Sequence, residues 1–154
     1  WLLEDAARDV AADRVQSVKR VISHKTFFAG KGISDTAYVY DDRTLTINYV
    51  PLEFLDEVED KTRTGDVLAL IYKNKDNIFS AHMLMIAEKD GKKMIRESSS
   101  SRMSTFDTPY QEWVRDVQQN RSERYLGLAF MRVKEQLNVP GKVIMPWDIA
   151  GLKK

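Results

Sequence analysis

The sequence predicts an α+β fold, an antiparallel β-sheet or partly open barrel of about five or six strands with an N-terminal helix and inserted short helices. Short apolar or alternating segments recur between residues 43 and 135, which is typical of strands. Turn signals such as Asp90-Gly91 separate some of them, so neighbouring strands are expected to run antiparallel. The length of 154 residues, with 43% hydrophobic and 31% charged residues, suits one globular domain.

Composition excludes several functional classes. The net charge of +1 gives no reason to expect a nucleic acid as partner. The chain has no cysteine, so it holds no disulfide, thiolate metal site or thiol nucleophile of its own. Two histidines and scattered carboxylates lack the ligand spacing of zinc or calcium sites, so neither a metal nor another cofactor is predicted. No apolar run approaches the length of a membrane span, and no signal peptide is visible.

The N-terminal part is predicted as a helix over residues 2–22, with a break expected at Asp13, because apolar residues recur there mostly at helical steps. The segment 27–35 contains two glycines and is predicted as a loop. Residues 36–40 and 43–50 are predicted as strands.

The middle of the chain begins with a short helix predicted over residues 51–61, since proline suits a first helical position. Residues 67–73 are predicted as a buried strand, because the segment is apolar without interruption up to Tyr72. A hairpin over residues 80–98 follows, and a last strand is predicted over 125–135. The strands from residue 67 onward would then form a meander, with a tail over 138–154 in which Trp147 packs.

A further helix is predicted over residues 107–120 from its start signals. Thr108 would be the N-cap, Pro109 the first helical residue, and Gln111 the third helical residue, as in a capping box.

His82 is the candidate functional residue of this hairpin, because it places an imidazole at the start of an otherwise apolar strand. With Asp90-Gly91 as a two-residue turn, Lys89 pairs with Lys92, and the register continues backwards. The later pairs on this face are Ile86 with Ile95, Leu84 with Glu97, and His82 with Ser99. Both faces are apolar near the turn, which predicts burial on both sides.

In this register Glu97 is a diagonal neighbour of His82, at roughly 7–8 Å between backbones. A carboxylate there would hold one imidazole nitrogen, as the orienting partner of a catalytic base does. A one-residue bulge would put Arg96 in that place instead. The alternative is that His82 is a half-buried structural residue. Ser99 opposite His82 could be a nucleophile, but the sequence shows neither the strained turn nor the oxyanion hole of such a site.

Several short motifs follow one another in a fixed order. They are Tyr49-Val50-Pro51, Gly65-Asp66 before an apolar strand, Ala81-His82, Arg96-Glu97-Ser98-Ser99, a helix near Trp113, and Phe130-Met131-Arg132. Their order and spacing over residues 45–133 resemble a bacterial family of N-acetylmuramoyl-L-alanine amidase-like proteins among the papain-like cell-wall amidases and peptidases.

The resemblance implies a papain-like β core and hydrolysis of an amide bond in peptidoglycan by a cysteine thiolate at the start of a helix. His82 would be the general base. Its orienting partner would be Arg96 by motif alignment or Glu97 by strand parity, and Glu97 is favoured because arginine would repel a protonated imidazole. Tyr49 and Ser99 would contact the substrate, although an aromatic residue at a strand end is also typical of a core. Asp66 is expected to be structural.

The missing cysteine departs from this pattern. We therefore expect residues 1–154 to be a single domain, the β-rich core of a longer protein whose helical, cysteine-bearing part is absent. The alternative is a catalytically inactive module that binds muropeptides or a protein, and a weaker one is a serine or metal hydrolase complete within the chain. The family further implies muropeptide partners, and a place in the periplasm or cell envelope reached by a signal peptide that this chain lacks.

Overall fold

The computed structural model describes residues 2–33, 39–137 and 141. Its strands are β1 Leu3–Asp5, β2 Gln16–Ile22, β3 Arg43–Pro51, β4 Val67–Tyr72, β5 His82–Lys89, β6 Lys92–Ser99, β7 Ser104–Pro109 and β8 Tyr125–Val133. Its α-helices are α1 Ala7–Ala11, α2 His24–Gly30 and α3 Tyr110–Asn120, with short 3-10 segments at Ala12–Arg14, Leu52–Glu57, Glu59–Lys61 and Glu135–Leu137. Helices and an antiparallel sheet therefore share one α+β architecture, as predicted.

The sheet contains eight strands within the described residues, more than the five or six predicted. Their order is β2-β3-β8-β4-β5-β6-β7, with β1 beside β8, and the sheet is not closed into a barrel. The predicted meander holds for β4 to β7, whereas β8 returns to the other side of β4 and lies between β3 and β4. Each pair of neighbouring strands among the described residues is antiparallel.

The single helix predicted over residues 2–22 is wrong. Only the five residues of α1 are α-helical, and Ala12 follows in the left-handed region with φ of 50°. Residues 16–22 instead form β2, which pairs along its whole length with β3. The branched residues Val18, Val21 and Ile22 suit a strand as well as a helix, so pairing with a distant segment decided their conformation.

Two further boundaries also differ from the prediction. Residues 27–30 of the predicted loop belong to α2, and the Ser23 hydroxyl caps this helix by accepting from the Thr26 amide at 3.2 Å. Residues 34–38, which hold most of the predicted strand 36–40, lie outside the described residues, as does the tail with Trp147. Residues 39–40 are not in a strand.

The two predicted proline-led helix starts are also wrong. Pro51 is the last residue of β3, and 3-10 turns follow it. Thr108 and Pro109 end β7, and no side chain caps α3. The Gln111 amide instead donates to the Asp56 carbonyl at 3.1 Å, so this side chain ties α3 to the segment after β3.

The hairpin of β5 and β6 has the predicted register, with Lys89 opposite Lys92 and Ile86 opposite Ile95. Asp90 and Gly91 have φ of 53° and 72°, as a two-residue turn with positive φ requires. The prediction that both faces of the hairpin are buried is wrong. Ile86 and Ile95 are fully buried, whereas Met85 on the other face is 42% exposed.

The main core lies between one face of the sheet and the helices. Leu68 and Leu70 of β4 pack there against α1, α3 and the 3-10 segment Leu52–Glu57. A smaller cluster covers the opposite face, where alternate residues of the same strand, Ala69 and Ile71, point. None of the helices in the described part of the chain is long and apolar enough to span a membrane.

Candidate functional site

His82 lies at the start of β5, where its backbone pairs with Leu70 of β4. Its side chain is 38% exposed and opens into a cleft of about 760 Å³. The end of β6, the serine-rich loop after it, α3 and Tyr125 line the rest of this cleft. The imidazole is therefore accessible to a ligand and is not packed inside the core.

Glu97 approaches His82 from β6. Its Oε1 lies 3.4 Å from His82 Nε2, and its side chain is only 14% exposed. The recorded pairing of β5 with β6 ends at Met85 opposite Arg96, so the pairs predicted beyond it are not formed by the backbone. β6 instead continues against β7, where Glu97 lies opposite Phe106. The two side chains thus meet across a gap between strands, on the shared face that the register predicted.

Trp113 of α3 completes this group. It is 3% exposed, and its indole Nε1–H donates to Glu97 Oε2 at 3.1 Å. The sequence placed Trp113 only in a predicted helix and did not indicate this contact. The signal was available in part, because a buried indole N–H needs an acceptor and Glu97 is a polar group on the buried-facing side of its strand.

Arg96 points away from His82. Its guanidinium makes a bidentate ion pair with Asp107 of β7, with hydrogen bonds of 2.8 and 2.9 Å. These bonds hold the pKa of Asp107 below its usual range and raise the pKa of Arg96. Of the two candidate orienting residues, Glu97 is the one that the structure brings to the imidazole.

Ser99 lines the same cleft. Its Oγ lies 3.0 Å from Ser101 Oγ and accepts a hydrogen bond from the Arg102 amide at 3.3 Å. The hydroxyl therefore also organises the loop that forms one wall of the cleft.

Tyr49 lies elsewhere. It is 6% exposed and belongs to the smaller cluster on the opposite face of the sheet. Its hydroxyl donates to Gln16 Oε1 at 2.9 Å, and burial raises its pKa. The structure brings together His82, Glu97 and Ser99, but it does not bring Tyr49 to them, because strand parity turns that side chain to the other face.

The walls of the cleft also carry charges of both signs. Asp116 of α3 pairs with Arg121 at 2.6 Å, and the Arg102 guanidinium stacks over the Phe106 ring at 4.5 Å from its centroid. Such a wall suits a polar ligand with both carboxylate and amide groups. Among the described residues no group of three or more histidine and carboxylate side chains is placed to hold a metal ion.

Asp66 has a structural role away from the cleft. It is 1% exposed and makes a bidentate ion pair with Arg132 of β8, with two hydrogen bonds of 2.8 Å. It also accepts from the Arg63 amide at 2.8 Å. Asp66 and Arg132, which both belong to the motifs that carry the family resemblance, thus hold the turn before β4 against β8.

No protein-family model matches this chain, and no curated protein matches it. Solved structures do match in fold. A Legionella pneumophila protein of the family DUF1460 matches with a TM-score of 0.66 at 11% identity, over 86% of this chain and 56% of that one. A Bacteroides uniformis N-acetylmuramoyl-L-alanine amidase matches with a TM-score of 0.60 at 16% identity, over 86% of this chain and 58% of that one.

A third structure, a Bacteroides fragilis protein described as a candidate xylanase, matches with a TM-score of 0.58 at 16% identity over 85% of this chain. At these identities the likeness shows a shared fold. The chain spans under three fifths of the length of each of these proteins, at 56%, 58% and 59%.

Proposed function

We propose that the protein containing this chain hydrolyses an amide bond in peptidoglycan, with a cysteine thiol from a segment outside residues 1–154 as nucleophile. His82 is the general base and Glu97 orients it. The observation that carries this proposal is the contact of His82 Nε2 with Glu97 Oε1 at 3.4 Å, at the wall of an open cleft. The fold shared with a protein named as an N-acetylmuramoyl-L-alanine amidase supports the reaction class.

In this proposal the two imidazole nitrogens have different roles. Because Nε2 faces the carboxylate, Nδ1 is left to take the proton of the thiol. The thiolate then attacks the amide carbonyl, and the imidazolium, stabilised by Glu97, returns its proton to the leaving amine. Water activated by the same nitrogen hydrolyses the thioester, which releases the acid and restores the thiol.

The cleft supports muropeptides as the substrate class. Its volume of about 760 Å³ falls in the range of small-ligand sites. Hydroxyls such as that of Ser99, with the charges of Arg102 and Asp116, would face the amides and carboxylates of a stem peptide. With a substrate in the cell wall, we propose the periplasm or cell envelope as the location of the intact protein.

The lack of any cysteine among the 154 residues favours one second candidate, a module that binds muropeptides without cutting them. The two candidates share the cleft and differ in turnover.

The test is the release of peptides from purified muropeptides by the full-length protein. We expect turnover that iodoacetamide abolishes, that His82→Ala removes, and that Glu97→Gln lowers by about 10²-fold or more. His24→Ala is the matched control, since His24 stands at the start of α2, outside the cleft lining, and should leave turnover unchanged. Turnover that survives His82→Ala contradicts the proposal, and saturable muropeptide binding without turnover establishes the binding module.

A further inference from the structure

We infer that Trp113 is a positioning residue of this site, whose indole N–H holds the Glu97 carboxylate against His82. The inference rests on the proposed function for its catalytic meaning, although the positioning itself is a property of the described chain. The two oxygens of Glu97 face different donors. Oε2 accepts from Trp113 Nε1 at 3.1 Å, and Oε1 lies 3.4 Å from His82 Nε2.

Trp113 is a fixed donor. It is 3% exposed, and two side-chain amides anchor the helix that carries it to the segment after β3. The Gln111 amide donates to the Asp56 carbonyl at 3.1 Å, and the Gln118 amide donates to the Leu52 carbonyl at 2.7 Å. The indole Nε1–H is a hydrogen-bond donor and never an acceptor, so a buried indole at this position requires an acceptor such as the Glu97 carboxylate.

Glu97 needs such a donor because its own strand does not fix it toward His82. The pairing of β5 with β6 stops at Met85 opposite Arg96, before either residue of the contact. A glutamate side chain has three rotatable bonds and loses conformational entropy when it is held in one rotamer. His82, whose side chain is 38% exposed, lies 3.4 Å from one of the two oxygens of Glu97. The hydrogen bond from a buried group removes the remaining freedom at the second oxygen.

The consequence concerns the reaction and not only the fold. If Glu97 moves by about 1 Å, the imidazole loses its orientation, and misplacement on that scale can lower a rate by up to about 10²-fold. Loss of the indole N–H should therefore lower kcat through Glu97, with little effect on substrate binding.

The test uses Trp113→Phe, which removes the N–H and keeps an aromatic ring. Tyr110→Phe is the matched control, because it removes a buried donor from the same helix that does not reach Glu97. The first readout is the position of the His82 imidazole resonances at one pH in this chain. The sequence has only two histidines, so His24 serves as the internal reference.

We expect Trp113→Phe and Glu97→Ala to move the His82 signals in the same direction, and the double variant to move them no further than Glu97→Ala alone. Tyr110→Phe should leave them in place. Additive effects of Trp113→Phe and Glu97→Ala, or equal shifts from the two helix variants, overturn the inference. If Trp113→Phe does not fold, the indole N–H resonance of Trp113 is read in Glu97→Ala, and an unmoved resonance overturns the inference.

The second readout is kinetic and uses the full-length protein. Trp113→Phe should lower kcat about tenfold, with KM changed less than threefold, and should have no effect in the Glu97→Ala background. If the intact protein shows no hydrolysis but the imidazole shifts are non-additive, the positioning stands and the proposed function fails. If hydrolysis depends on Glu97 but not on Trp113, the proposed function stands and this inference fails.

Discussion

The substitution Asp66→Asn should destabilise the fold by about 3 kcal/mol, because it breaks a buried ion pair. The carboxylate of Asp66 is 1% exposed and holds both Nε and Nη2 of Arg132 at 2.8 Å. An asparagine in its place offers one oxygen and one NH2 group. The NH2 group would face an arginine N–H or the Arg63 amide, and each of these is also a donor.

The magnitude follows from what remains around Arg132. Removing one partner of a buried pair typically costs about 3–5 kcal/mol, since the other charge is left without compensation. Asp9 Oδ2 stays 3.4 Å from Arg132 Nη1, but Asp9 is 69% exposed and compensates only partly. The lower end of the range therefore applies. With a urea m-value of about 2 kcal/mol per molar, the unfolding midpoint should fall by about 1.5 M.

The assay is urea unfolding followed by tryptophan fluorescence and by circular dichroism. Asp107→Asn is the matched control, because Asp107 and Arg96 form a bidentate pair of the same geometry whose side chains are 21% and 48% exposed. Ion pairs on the surface contribute little to stability, so this control should move the midpoint only slightly. A midpoint that falls no further in Asp66→Asn than in Asp107→Asn would refute the role given to burial.

Three more predictions concern single positions. Gly127→Ala should unfold the protein at ordinary temperatures or lower its Tm by far more than Gly91→Ala, because a Cβ at residue 127 would meet the Val50 carbonyl oxygen at 1.9 Å. A Cβ at residue 91 has open space, and its φ of +72° adds only a strain of about 1 kcal/mol. Thermal melts followed by circular dichroism compare the two variants. Burial raises the pKa of the Tyr110 phenol, with Glu59 and Asp56 adding to the effect, so this phenol stays protonated in the folded state after unfolded tyrosines ionise. Stability should then decline as pH rises above about 10, and Tyr110→Phe should make that decline less steep in urea titrations at several pH values. Ser99→Ala in the full-length protein should raise KM and leave kcat within about threefold, as expected of a substrate contact, whereas loss of kcat in steady-state assays would make Ser99 a participant in the chemistry.

Local signals in the sequence predicted the local features of the fold well. The turn at Asp90-Gly91 needs positive φ at both residues, and few residue pairs allow it, so the hairpin register followed from those two residues. From that register came the shared face of His82 and Glu97. The apolar segment of β4 was equally clear, because a strand buried on both faces has no polar residues between its apolar ones.

Features that depend on distant partners could not be predicted in the same way. Residues 16–22 carry apolar spacing that fits a helix, and only pairing with residues 43–49 makes them a strand. The prolines at 51 and 109 suit a first helical position and equally the end of a strand, and the structure uses the second. The contact of Trp113 with Glu97 spans two elements, so neither segment alone indicates it.

The site is therefore assembled by several elements and not by the hairpin alone that contains its two polar residues. His82 is held by β4 and Glu97 by β7, since the direct pairing of β5 with β6 ends before them. The end of that pairing leaves the carboxylate without a backbone constraint toward the imidazole. A donor from a third element, Trp113 of α3, meets this need because α3 packs over the same edge. The fold thus separates two requirements: the strands provide access to the histidine, and the helix provides the precision with which its partner is placed.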